Sequence, residues 1–179
     1  MKFVPLRMNG LWLVVYDVHQ DSRGLYCSTV KRERFEEYGL NADFKESGWA
    51  HNPKVGTVRG LHYQHSYGAQ AKLIRCSRGE IMDMVVDLRP DSVTFLEHRM
   101  IHLESNRPFM LYVAEGLAHG YQTMENDTTV EYNMTQAYMP EFAAGVRYND
   151  PAFGMTPPLP VTTILQRDLL YPDFVVKSA

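Results

Sequence analysis

Ile81-Met82-Asp83-Met84-Val85-Val86-Asp87 is an extended run: Met82, Met84 and Val86 fall on one side of a strand, and Ile81, Asp83, Val85 and Asp87 on the other. The first side is apolar, and the second mixes apolar residues with two aspartates. At least one aspartate is therefore expected in a polar cavity or beside a cation, the alternative being a solvated outer face. Similar β-branched and aromatic runs recur along the chain at Leu11–Val18, Gly24–Thr29, Thr57–Tyr63, Ala71–Cys76, Glu80–Leu88, Thr94–Leu103, Phe109–Val113 and Thr128–Tyr138. Gly, Pro, Asn and Asp separate them, which is the pattern of an all-β sandwich or barrel. One short helix is expected at Val30–Tyr38, with Phe35 and Tyr38 three residues apart and Gly39 placed to end it.

The chain has 179 residues, 45% hydrophobic and 22% charged, in the range of a globular protein. There is no internal repeat, low-complexity tract or linker, so a single domain over residues 1–179 is expected. A net charge of −3 gives no general attraction for nucleic acid or an anionic membrane, and any basic site must be local. The longest apolar run, Leu11 to Tyr16, is too short to span a bilayer, and no basic segment followed by an apolar one opens the chain. Cys27 and Cys76 lack CxxC spacing, so neither a disulfide framework nor a zinc site is expected, and the cytoplasm is the default location.

Chemistry concentrates in Thr57-Val58-Arg59-Gly60-Leu61-His62-Tyr63-Gln64 and in Lys72, eight residues further on. An imidazole that titrates near neutral pH, set beside two cations, suits proton abstraction from an anionic substrate that forms an enolate. Arg59 and His62 fall on opposite faces of a regular strand. A bulge at Gly60 would bring them to one cavity. Histidines stand at positions 19, 51, 62, 65, 98, 102 and 119. His62 and His65 point opposite ways on a strand, and the next glutamate is Glu80, so a three-histidine-plus-carboxylate metal site is not offered. His119, bracketed by glycines at a turn into a strand, could bond a ligand or cap the turn. Tyr132 shares its face with Val130 and Met134, the expected inner face, where a hydroxyl needs a partner. Spacing alone does not place Asp168 in Gln166-Arg167-Asp168.

Taken together, RGLHYQ (59–64), QAKLIRCSRGEIMDMVVDLR (70–89), DSVTF (91–95), EGLAHGY (115–121), EYNMTQAYMPE (131–141), RYNDP (147–151) and RD (167–168) resemble the dTDP-4-dehydrorhamnose 3,5-epimerases, in order and nearly in spacing. The resemblance implies a cupin-type jelly-roll β-barrel with a few short helices. It also implies a homodimer that exchanges N-terminal strands, and no metal or organic cofactor. Carried over by position, it implies His62 as the base next to the C4 ketone of a nucleotide-diphosphate sugar. Asp168 would support His62, Lys72 would meet the enolate oxygen, and Tyr132 would be the acid on the opposite ring face. Arg59, His119 and Arg167, where lysine is usual, would hold the substrate together with Tyr138. Arg23 would reach the diphosphate from the partner chain.

Three positions depart from the family pattern. Ser28 stands where a glutamate is usual, Glu46–Asn52 replaces a QDNHS-like segment, and the glutamate expected near Ala143 is absent. All three fall at nucleotide contacts, so dTDP and CDP both stay open as the carrier. Trp49 either stacks on a base or sugar or plugs the barrel mouth. The resemblance leaves C3, C5 or both as the centre inverted. The other readings are a sugar-nucleotide 3,4-ketoisomerase on the same fold, in which the carbonyl migrates, and a sugar-binding cupin without turnover.

Overall fold

The computed structural model describes residues 1–176, and among them thirteen strands and two short α-helices. One sheet has six strands in the order β1 (Lys2–Pro5), β2 (Leu11–Val15), β10 (Phe109–Val113), β7 (Lys72–Arg78), β12 (Thr128–Met134) and β5 (Glu46–Asn52). The other has five, β13 (Ala143–Gly145), β6 (Val58–Gln64), β11 (Leu117–Thr123), β8 (Glu80–Asp87) and β9 (His98–Glu104). β3 (Val18–Asp21) and β4 (Gly24–Cys27) form a hairpin by themselves. The strand pairs of both sheets are antiparallel.

The architecture is a jelly-roll-like sandwich of the cupin type. Of the sandwich or barrel expected from the sequence, it is the sandwich, with the jelly-roll arrangement that the resemblance implied and without closure into a barrel. Closure requires the edge strands of the two sheets to bond across, and among the described residues β1, β5, β9 and β13 end their sheets without such a ladder.

Between the sheets lie Leu11, Ile74, Val113 and Val130 from one side and Ile81, Val85, Leu103, Leu117 and Tyr121 from the other. Ile81 and Val85 point inward, with fully buried Asp83 between them. Met84 and Val86, of opposite parity, pack against Val58, Leu61, Phe153 and Met155 on the far side of the five-stranded sheet. β8 is covered on both faces, which is why neither face reads as polar. Both of its aspartates meet partners. Asp87 pairs with Arg89 at 2.7 Å and accepts bonds from Ser92 and Thr94 at 2.6 Å, while Asp83 takes His119.

The helix α1 (Arg32–Glu36) is shorter than the segment 30–38 read from the sequence. It buries Phe35 against Phe3 and Tyr112 on the outer face of the six-stranded sheet. Burial of such a ring is worth about 1.5–3 kcal/mol, enough to anchor one helical turn. The second helix, α2 (Gln166–Leu169), lies near the C-terminus.

Several strands differ from the sequence reading. The run 11–18 splits into β2 and β3, the run 94–103 is a turn before His98, and β12 ends at Met134. No run had marked β1, β5 or β13, nor β11 beyond the strand expected at His119. β5, Glu-Ser-Gly-Trp-Ala-His-Asn, lacks hydrophobic alternation and is held by full-length pairing with β12. None of the described helices is long and apolar enough to cross a membrane.

Candidate active site

The bulge expected at Gly60 is present. His119 pairs with His62 and Tyr121 with Arg59, so β6 holds Gly60 and Leu61 where β11 holds only Gly120. The extra residue reverses parity, and Arg59 and His62 both face one cavity. Glycine is required on both strands. A Cβ on Gly60 (φ +110°) would lie 2.7 Å from the Gly120 Cα, and one on Gly120 would lie 2.5 Å from the Arg59 carbonyl oxygen.

The cavity, about 300 Å³, is lined by Arg59, His62, Lys72, His119, Tyr132, Tyr138, Arg167 and Asp168, among others. His62 comes from β6 and His119 from β11, both in the five-stranded sheet, whereas Lys72 and Tyr132 come from β7 and β12 in the facing sheet. His119 lies within a strand rather than at a turn leading into one.

His62 bonds Asp168 through Nε2 at 2.8 Å, which leaves Nδ1 as the free ring nitrogen. Asp168 is almost fully buried on α2. Burial would push its carboxyl up, but the His62 hydrogen bond, the Gly60 N–H at 3.3 Å and the Arg167 charge together hold it below its usual range. It stays an anion behind the imidazole.

Across the cavity, the Lys72 ammonium donates to the His62 carbonyl at 3.3 Å. Enclosure pushes its pKa down to about 8, against a pull upward from the Asp83 carboxylate. Burial raises the Tyr132 phenol well above 10, so it stays protonated at neutral pH. Its hydroxyl neighbours that of Tyr121, which lies 3.1 Å from the Asn52 amide nitrogen. Asn52 in turn accepts from Arg59 Nε at 2.8 Å.

Tyr138 stands at the mouth, more than half exposed, on a loop after β12. The Gln64 amide fixes that loop by bonding the Gly68 and Ala137 carbonyls, and its oxygen accepts from the Met139 N–H at 2.7 Å. Glu46 accepts from the Tyr138 N–H at 2.8 Å. Arg23 is outside this cavity. It sits on the β3–β4 hairpin, bound to Asp21 at 2.6 Å, with its side chain 88% exposed.

Trp49 does not line the cavity or plug it. β5 turns Ala50 toward the cavity, and Trp49, on the opposite face, is 72% exposed. At the place where a glutamate was expected, Ala143 and Ala144 form the wall.

Sequence reasoning missed Asn52 as the holder of Arg59, and Gln64 as the staple of the Tyr138 loop. It also missed Tyr171, whose ring meets that of His62 edge-on at 6.5 Å. Gly145 leaves room for that ring, since any Cβ there would collide with it. Among the described residues, Glu80, His102 and Glu104 are spaced to hold a metal ion, but none of them lines the cavity.

Residues 5–175 match the sequence profile of the family described as dTDP-4-dehydrorhamnose 3,5-epimerase. The enzyme of that name from Methanothermobacter thermautotrophicus is 33% identical over 158 residues, 88% of this chain and 84% of its own length. The crystal structure of the dTDP-4-dehydrorhamnose 3,5-epimerase from Elizabethkingia anophelis superposes with a TM-score of 0.93 at 29% identity, covering 97% of this chain and 96% of that one. A 3′-monoepimerase from Streptomyces bikiniensis, solved in complex with dTDP-quinovose, superposes at 0.86 with 29% identity, covering 94% and 85%. With this agreement in sequence and fold over nearly its whole length, the chain belongs to the dTDP-4-dehydrorhamnose 3,5-epimerase family.

Proposed function

We propose that the protein inverts C3, C5 or both of a nucleotide-activated 4-keto-6-deoxyhexose through an enolate, using its own side chains and no cofactor. The 179 residues act as one epimerase domain. His62, through its free Nδ1, takes the proton from the carbon next to the C4 ketone, and the buried Asp168 carboxylate stabilises the imidazolium that forms. The electron pair moves to the ketone oxygen, where the Lys72 ammonium meets it. Preorganised stabilisation of that kind lowers a barrier by about 3 kcal/mol. Tyr132 protonates the carbon from the other side. The proton on His62 and the vacancy on Tyr132 then re-equilibrate with solvent.

The observation that carries this reading is the split of the set between facing sheets, with the imidazole on β6 and the phenol on β12 across one cavity. Inversion needs base and acid on opposite faces of a carbon, whereas binding alone needs neither.

Arg59, His119 and Arg167 hold the nucleotide-sugar, with Tyr138 at the mouth. Arg23 reaches the diphosphate from a second copy in a homodimer with exchanged N-terminal strands. Support for that assembly comes from the β3–β4 hairpin, which bonds only to itself among the described residues and leaves Leu25 and Tyr26 about 70% exposed. β1 and β2, by contrast, pair within their own chain, so the hairpin is the arm to exchange. The unbridged Cys27 and Cys76 suit a reducing cytoplasm.

Incubation with dTDP- and CDP-4-keto-6-deoxyglucose in deuterium oxide, followed by NMR, tests the reading. Deuterium at C3 or C5 of an inverted product is expected, and the preferred nucleotide identifies the carrier. No exchange at either carbon with either nucleotide overturns it, and a carbonyl that migrates to C3 marks a ketoisomerase instead.

A further inference from the structure

Asp83 has a place in the site that the catalytic roles above leave unused. It is fully buried at the centre of β8, and its Oδ2 accepts the His119 Nε2 hydrogen at 2.9 Å, with His119 only 4% exposed. Its Oδ1 is buried with no hydrogen-bond partner among the described residues. Close by, Lys72 satisfies one of its three donors, on the His62 carbonyl. A buried carboxylate oxygen without a donor and an enclosed ammonium short of acceptors are each unfavourable alone, and each relieves the other through its field.

We propose that Asp83 is a positioning residue for the epimerisation: one carboxylate orients the His119 ring by a direct hydrogen bond and supplies the buried counter-charge that keeps Lys72 an ammonium. The inference rests on the assignment of Lys72 to the enolate oxygen.

Lys72 shares the cavity with Arg59, His62 and Tyr63 on β6, His119 and Tyr121 on β11, Tyr132 on β12, Tyr138 from the following loop, Arg167 and Asp168 from α2, and Tyr171 beyond it, while Asp83 on β8, outside the lining, acts on it through its charge. Two of them are carboxylates. Asp168 is engaged by His62 and the Gly60 N–H, which leaves Asp83 as the carboxyl acting on Lys72; burial raises the Asp83 pKa, and its charged form is held against that rise by His119 and Lys72. Enclosure draws the lysine down to about 8, and Asp83 is what opposes that pull.

Asp83→Asn separates the two duties, because an amide oxygen still accepts from His119 while the charge is gone. KM should stay within about twofold while kcat falls. The alkaline limb of the kcat profile, set by loss of the Lys72 proton, should move down by about 1 pH unit or more, the shift an opposite charge within a few ångströms imposes. An unmoved limb overturns the proposal. Failure of the wild-type enzyme to exchange deuterium with any 4-keto sugar nucleotide would instead sink the epimerase reading. The charge coupling is then read from thermal midpoints. Asp83→Asn lowers the midpoint, and adding Lys72→Met, which needs no counter-charge, recovers part of the loss. A double variant no more stable than Asp83→Asn alone overturns the coupling, including the case in which neither folds.

Discussion

Replacing Tyr132 by Phe removes one oxygen and leaves the ring in place. The ring sits against the inter-sheet core and meets His119 edge-on at 6.4 Å, contacts that Phe retains. The hydroxyl lost is next to Tyr121, whose own oxygen keeps its bonds to Asn52 at 3.1 and 3.3 Å. Net loss of one hydrogen bond destabilises by about 1 kcal/mol, so the variant should fold. The chemical consequence is much larger. A positioned general acid contributes roughly 10²–10⁴-fold, equivalent to about 2.7–5.4 kcal/mol of barrier. His62, Asp168 and Lys72 remain, so enolate formation continues, and the enolate is reprotonated from the face it left. NMR in deuterium oxide should therefore show deuterium entering the substrate with retained configuration, while inverted product appears at least 100-fold more slowly. Inversion at the wild-type rate would mean that the acid is another group, and equal loss of exchange and inversion would mean that Tyr132 merely holds the substrate.

Two further outcomes follow from the geometry. Gly60→Ala places a methyl 2.7 Å from the Gly120 Cα and 2.8 Å from the His119 carbonyl at a φ of +110°, so it should cost about 2 kcal/mol or more. Denaturant unfolding reads that loss, and kcat/KM should collapse with it because Arg59 and His62 no longer share a face. Asp87, drawn down to about 2 in spite of burial by Arg89, Ser92 and Thr94, should contribute about 2 kcal/mol above its unfolded value near 3.8 and lose it as pH falls toward 2. Thermal midpoints at pH 5, 4 and 3 should fall less steeply in Asp87→Asn than in the wild type.

What was legible in the sequence was local. Alternation in 81–87 announced a strand with aspartates needing partners, because side-chain parity is set within the strand itself. The Gly60 bulge was readable for the same reason: Arg59 and His62 could share a cavity only if an extra residue intervened. β5 was not readable, because Gly48 and Ser47 have no strand character and the segment is extended only because β12 pairs along all of it. Asp168 reaches His62 from 106 residues away, a relation that no spacing rule encodes and only the family resemblance supplied. Tyr171 had neither kind of signal. The choice between sandwich and barrel stayed open in the sequence because alternation predicts inward faces but says nothing about whether edges meet.

A sandwich suits inversion for a reason beyond the residues it carries. Two packed sheets stand about 10 Å apart, and a hexose ring lying between them presents one face to each. Side chains from facing strands then reach the same carbon from opposite directions, which is the stereochemical requirement for inverting it. In the proposed mechanism β6 supplies the base and β12 the acid, while Lys72 lies on β7, which pairs with β12 so that Met134 faces Lys72 itself. In that mechanism the ketone oxygen would meet the ammonium from the acid's sheet, and the abstracted proton would leave toward the other. C3 and C5 both flank the C4 ketone, so a ring turned between steps would present each carbon in turn to the same pair while the oxygen stays near Lys72. On this mechanism the number of centres inverted would be set by how freely the sugar turns. The walls formed by Tyr138, Ala143 and Ala144 around that space, rather than His62 or Tyr132, are where selectivity between one inversion and two would be decided.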